Sequence, residues 1–184
     1  MPKINTGKRR SAILILVTAC AGASCGGDSI DITCAEYFKA ATSTLQDQGN
    51  GVVHDTATDL HWYRCNAGQS FVDGECKDEA LNLNFDATVV AVQDLTAAPI
   101  SQTPDMGWRM PTQEEYATLT DVPCHSPMIN VVAFPDPQSE TFYWSSSEGK
   151  NDDFACGTRL KDGRQLCQIS RSSVNPTMLV ASVD

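Results

Sequence analysis

Eight cysteines are the residues of this chain best suited to covalent chemistry. Cysteine thiols can pair, bind metal, attack electrophiles or accept acyl chains, and the compartment decides which of these occurs. That compartment is legible at the N-terminus. Lys8-Arg9-Arg10 precedes the apolar run Ala12-Ile13-Leu14-Ile15-Leu16-Val17, and Thr18-Ala19 lead into Cys20. Positive charge, a short apolar segment and small residues form a secretory signal over residues 1–19. A membrane-spanning helix needs about 20 apolar residues, and this run stops at roughly half that. Exported thiols meet an oxidising environment, so most of the cysteines are expected in disulfides.

Val17-Thr18-Ala19-Cys20 resembles a bacterial lipobox, in which the cysteine receives lipid and becomes the mature N-terminus. The resemblance implies a lipoprotein anchored through acyl chains, palmitate among them, on Cys20. Ala21-Gly22 follow without an Asp, which implies sorting to the outer membrane of the cell envelope. Cleavage after Ala19 or Ala21 by ordinary signal peptidase is the alternative and would give a secreted or periplasmic soluble protein. Residues 20–33, rich in Gly, Ala and Ser, read as anchor and flexible tether, with one domain over 34–184.

Acylation of Cys20 leaves seven cysteines, so at least one lacks an intrachain partner, and Cys25 in the tether is the expected odd one. Short separations suggest Cys65 with Cys76 and Cys156 with Cys167, leaving Cys34 with Cys124 as a long-range staple. Other connectivities of these six are open. Zinc is the rival use of the thiols. No C-x-x-C pair occurs, however, and His54, His61 and His125 are scattered.

Removing the signal leaves 165 residues, enough for one domain with a substantial core. The mature chain carries nine basic against 23 acidic side chains, a formal charge of −14. Such a surface repels polyanions, which excludes nucleic acid as an expected partner.

The elements that position these residues follow from local pattern. Residues 34–46 (Ala35, Tyr37, Phe38, Ala40, Ala41, Leu45) have helical composition and an apolar side. After Gly49-Asn50-Gly51, Val52-Val53-His54-Asp55 and Leu60-His61-Trp62-Tyr63 flank a polar turn and predict a hairpin. Residues 65–76 are polar and glycine-rich, expected as a loop pinned by its disulfide. Phe85, Thr88, Val89 and Val92 share one face of a helix ending near Leu95. Pro99 and Pro104 bound an irregular loop. Thr112 with Glu115 forms a capping box that starts a helix over about 113–121, burying Tyr116 and Leu119, and Pro123 lies beyond its end.

Three strands are expected at 143–145, 154–160 and 164–169, with Asp162-Gly163 in the last turn. A strict two-residue turn there would set Cys156 opposite Ile169. A wider turn centred one residue earlier would set it opposite Cys167.

Val53-His54-Asp55, Leu60-His61-Trp62, Cys65, Gly107-Trp108-Arg109-Met110-Pro111-Thr112 with Glu114-Glu115, Ile129, Phe134-Pro135, Tyr143-Trp144-Ser145-Ser146-Ser147 and Asp162-Gly163 occur in a telling order. In that order and spacing the chain resembles the Lcl C-terminal domain family over about residues 51–169. This is a domain group of unknown function, named for the end of a bacterial collagen-like adhesin. It is considered related to the fold shared by C-type lectins and formylglycine-generating, sulfatase-modifying enzymes. The resemblance implies an α+β domain of short helices on irregular antiparallel hairpins, stapled by disulfides. It departs from the pattern at the end, where Met178-Leu179-Val180-Ala181-Ser182-Val183 lacks the arginines of the family's closing strand.

Trp62, Trp108 and Trp144 read first as core, with their indole N–H groups satisfied by backbone. Arg109 is expected either exposed or paired with Glu114 or Glu115. Ser145, Ser146 and Ser147 lack a nucleophile elbow and read as strand-edge hydrogen-bonding groups. No catalytic set emerges, and no cofactor is called for.

The expected function is non-catalytic binding or adhesion by loops on a rigid scaffold, toward a neutral glycan, an envelope or host protein, or a cation-bridged ligand. The expected loops are 66–77, 98–106 and 148–154. Glu148, Asp152 and Asp153 with Asn151 offer oxygens for Ca²⁺, with a solvated acidic turn as the competing reading. Two further readings are an envelope structural protein without a small ligand and, by analogy with formylglycine-generating enzymes, a cysteine enzyme using Cys156 and Cys167.

Overall fold

Strands with apolar residues on both faces need cover on both sides, and Val52–Asp55 (β2) and Leu60–Tyr63 (β3) receive it. In the computed structural model, which describes residues 32–40, 43–97 and 106–182, these strands pair antiparallel with Val53 opposite Trp62. Leu45–Asp47 (β1) joins β2 on one side and Val180–Ser182 (β9) joins β3 on the other, giving the order β1-β2-β3-β9. Arg109 extends the row by an isolated bridge to Val180. The C-terminal apolar segment thus closes the sheet without the missing arginines. The secretory signal, Cys20, Cys25, nearly all of the tether and the loop at 98–105 lie outside the described residues.

One face of this sheet carries Val53, Trp62 and Val180 into a cluster with Tyr116, Leu119, Ile129, Phe134 and Tyr143. The other carries Val52, Tyr63 and Ala181 into a cluster with Trp108, Met110 and Trp144. Period-two alternation fixes this register, because a one-residue slip would exchange the two faces.

The helix expected over 34–46 ends early. Helix α1 spans Cys34–Ala40, and Leu45 and Gln46 belong to β1. Ser43 Oγ accepts from the Leu45 N–H at 3.1 Å, a local bond that competes with helix. The open edge of β2 then supplies a strand partner for Leu45–Asp47.

The polar stretch expected as a loop contains a hairpin, Ser70–Val72 (β4) and Glu75–Lys77 (β5). Its turn is Asp73-Gly74, with φ of 52° and 84°, the two consecutive positive values that a tight hairpin turn demands. The Cys65–Cys76 disulfide pins it.

Helix α2 spans Phe85–Ala97 and turns Thr88 and Val92 inward. Helix α3 spans Gln113–Thr120 behind a complete capping box: Thr112 Oγ1 accepts from the Glu115 N–H, and Glu115 Oε2 accepts from the Thr112 N–H. The second sheet is Phe142–Trp144 (β6), Phe154–Arg159 (β7) and Arg164–Ser170 (β8). Arg159 faces Arg164, so the turn is the wider one, with Gly163 at φ 68°. A bulge between Ala155 and Gly157 adjusts the register around Cys156, which is bonded to Cys167. Cys34 is bonded to Cys124 across 90 positions. The molecule is therefore an α+β domain with several small antiparallel sheets and three disulfides.

Candidate functional site

The signature residues are knitted into one another. Trp62, Trp108 and Trp144 are 0, 3 and 0 % exposed. The Trp144 indole donates to Leu83 O at 2.9 Å, whereas Trp62 Nε1 finds no acceptor among the described residues, so backbone satisfaction holds for one of these two. Arg109 makes a two-pronged contact with Glu115, at 2.8 and 2.6 Å, alongside the cap of α3. Partial burial pushes the Glu115 carboxyl up, but the Arg109 guanidinium and the Thr112 N–H outweigh it and hold it below its usual range.

Pro111 O accepts from the Ser146 N–H, and Ser147 Oγ accepts from the Gln113 N–H. Ser145, fully buried, donates its N–H to Cys156 O and accepts from the Ser147 N–H. These serines fasten α3 to the second sheet, and Ser147 Oγ also donates to Glu114 Oε2 at 3.5 Å. Gln113 adds bonds to Gly157 O and Leu166 O. Tyr116, buried with its hydroxyl pushed far up by desolvation, accepts from the Met178 N–H. Neither Gln113 nor Tyr116 was anticipated as a polar link; only the burial of Tyr116 was legible.

The loops expected to hold a ligand fare differently. Within 66–77, Asn66 and Gln69 turn inward: Tyr143 donates to Asn66 Oδ1 at 2.8 Å, and Gln69 Nε2 donates to Asp136 Oδ2 at 2.8 Å. In 148–154, Glu148, Asp152 and Asp153 are exposed, and the Asn151 side chain accepts from the Asp153 N–H. Among the described residues no group of three or more His, Cys, Asp or Glu side chains converges as a metal site. Met106 is the only described residue of the 98–106 loop.

The register brings together two histidines that look unrelated in the sequence. His54 and His61 face each other across β2 and β3 with stacked rings 4.5 Å apart, and His54 Nε2 lies 2.7 Å from Asp59 Oδ1. Burial, reinforced by His54, pushes the His61 imidazole down.

A concavity lies away from these loops, between α1 and α3. It holds about 300 Å³ and is walled by Tyr37 and Phe38, by Ser43–Leu45, by Asp55 and Thr58, and by the end of α3 with Asp121. Asn130 and Phe134 line it as well. The Cys34–Cys124 bond fixes α1 beside the segment that follows α3, and Cys34 N–H donates to His125 O. Asn130 Nδ2 reaches Ser43 Oγ at 3.3 Å across the groove's base. Sequence pattern could not place this groove, because its walls come from four separate segments. A second, more apolar concavity of about 280 Å³ runs along Phe85, Val89, Trp108 and Arg109.

Comparison with known proteins agrees with the signature. No curated protein and no solved structure gives a significant match. The Lcl C-terminal domain family matches residues 51–181, which extends the expected span past Ile169 to take in β9. That extension fits the fold, since β9 is the strand that completes the first sheet and supplies Ala181 and Val180 to the two cores. With its signature residues forming the buried frame and the match covering most of its length, the chain belongs to the Lcl C-terminal domain family.

Proposed function

We propose that this protein is a non-catalytic lipoprotein of the bacterial cell envelope, held by lipid on Cys20, that displays its Lcl C-terminal domain as a binding module. The observation that carries the reading is a division of labour. Side chains with reactive potential are tied up in structural bonds: Ser145 and Ser147 in the α3 junction, Arg109 on Glu115, Cys156 and Cys167 in a disulfide. The groove beside α1 remains open and is lined by aromatic, hydroxyl and carboxylate groups. Concave, partly apolar sites with a few convergent polar groups are where small ligands bind. Its acidity, with the mature charge of −14, favours a neutral glycan or a protein partner over a polyanion.

Two measurements test this. Metabolic labelling with a palmitate analogue, with and without Cys20→Ala, should label only the parent, and fractionation should move the variant out of the membrane. An unlabelled parent, cut instead after Ala19 or Ala21, would replace the anchor with a soluble exported form. Glycan-array screening and envelope-protein capture, each with and without Ca²⁺, should return a ligand. Silence in both favours an envelope structural protein. Free thiols at Cys156 and Cys167 in the unreduced protein would reopen the cysteine-enzyme reading.

A further inference from the structure

The groove between α1 and α3 has a chemical bias that a generic binding site lacks. Its acidic lining consists of two carboxylates, Asp55 and Asp121, and among the described residues no Lys, Arg or His side chain borders it. Asp55 is buried, and each of its oxygens holds one local donor, the Ala57 N–H at 3.2 Å and the Thr58 hydroxyl at 2.7 Å. A carboxylate offers about four lone-pair sites, so acceptor capacity is left over.

The end of α3 adds to the same sign. Thr118, Leu119 and Asp121 place the C-terminal turn of α3 on the groove wall. The last carbonyls of a helix carry a partial negative charge, and this last turn holds no basic residue to balance it. Opposite stand Tyr37 and Phe38, packed edge to face at 5.0 Å, with Phe134 nearby. Aromatic faces attract cations through their quadrupole.

We propose that this groove binds an organic cation, a primary ammonium or guanidinium on an apolar stem. The stem lies along Phe38 and Phe134, and the charged head sits toward Asp121 and the end of α3. An anion would meet only like charge, and a fully apolar ligand would strip water from two carboxylates without compensation. The net charge of −14 on the mature chain raises the local concentration of cations and speeds their encounter. The wall that completes the site also lies outside the family-matched span. Residues 34–47, which supply Tyr37 and Phe38, precede the family-matched region 51–181 and are stapled to it by Cys34–Cys124. This assignment rests on the binding-module reading and names its ligand class. Two sources share the chemistry: a free polyamine, and the Lys or Arg side chains of a basic peptide.

The test is NMR titration of the disulfide-intact mature protein with spermidine, with a short Lys/Arg peptide and with neutral monosaccharides, at low and at raised salt. The expected result is saturable shifts at Tyr37, Phe38 and Thr118 with a cation, weakened by salt. Asp121→Asn, an exposed position, should weaken binding about tenfold, or roughly 1.4 kcal/mol, with an unchanged melting temperature. Tyr37→Leu should weaken it several-fold. Binding of spermidine alone assigns a free small molecule, and binding of the peptide alone assigns a protein partner. Absence of saturable shifts with both cations overturns the proposal, as does binding indifferent to salt and to Asp121→Asn. A neutral sugar that saturates the same residues without salt dependence also overturns it, yet leaves the binding-module reading standing.

Discussion

The family-matched frame and the N-terminal segment stapled onto it are held by opposite means. The frame is redundant: Tyr116 and Thr177 both donate their hydroxyls to Trp144 O, Gln113 Nε2 donates to Gly157 O, and two apolar clusters sandwich the sheet. The N-terminal segment has one short helix, one edge strand and one disulfide. An isolated helix of seven residues is far below the length at which helices persist in water, so α1 depends on its tether to Cys124. The comparison teaches where change is tolerated. A frame of mutually satisfied buried groups admits few substitutions, while an appended wall held by one covalent bond can vary in content without disturbing what it leans on.

The largest expected effect breaks the frame. Trp144→Ala removes a fully buried indole, its bond to Leu83 O and its edge-to-face contact with Phe85. Such truncations cost roughly 3–5 kcal/mol, a large part of a domain's whole stability. Urea denaturation should show a cooperative loss across the entire domain. A stability change below about 1 kcal/mol would mean that the cluster is not the frame's keystone.

The second effect should be as local as the first is global. Replacing Cys34 and Cys124 with Ser opens a loop closed across 90 positions, and chain-entropy arguments put such losses at roughly 2–5 kcal/mol. Hydrogen exchange should rise in α1 and β1 and stay slow in β2, β3 and β7. Uniform acceleration would show that the segment is integral to the frame, and the contrast would fail.

The same contrast explains what was legible beforehand. Thr112 and Glu115 announce α3 because a capping box is a local motif, and both of its bonds form. Asp162-Gly163 signals its turn from the sequence, while Asp73-Gly74, the same dipeptide, is hidden by polar surroundings that mask the short strands beside it. Leu45 carries a helical pattern in the sequence because its partner, Asp55, lies across a loop and edge pairing leaves no local trace. Short separations suggest two of the disulfides and leave Cys34 with Cys124 as one open connectivity, whereas the groove walled by α1 depends on tertiary placement. The His54–His61 pair required the hairpin register, which alternation gives only once the turn length is known.

A smaller effect sharpens the account of the frame's polar joints. Thr112→Ala removes the acceptor for the Glu115 N–H and should cost about 1 kcal/mol. Thr112→Ser keeps the hydroxyl and should recover most of that loss in the same urea series. If Ser behaves as Ala does, packing of the Thr112 methyl carries the effect and the cap does not.

The smallest effect probes the hairpin of β2 and β3, whose β2 edge carries β1. His61 is pushed down by burial first and by His54 second, while Asp59 pulls the other way. The unfolded chain therefore binds a proton at this position more readily than the folded one. The contribution of His61 to stability is complete above the unfolded histidine value of about 6.5 and is lost as pH falls through it, levelling off once the lower folded value is passed. Melting temperatures measured between about pH 7.5 and 5 should decline toward acid in the parent and decline less in His61→Gln. His54→Gln removes the second cause and should leave a shallower slope than the parent but a steeper one than His61→Gln. Because Asp59 bonds His54 and also favours a charged His61, Asp59→Asn should steepen the decline. Parallel pH profiles for all four proteins would place the acid sensitivity elsewhere in the frame and reduce the stacked pair to a packing contact.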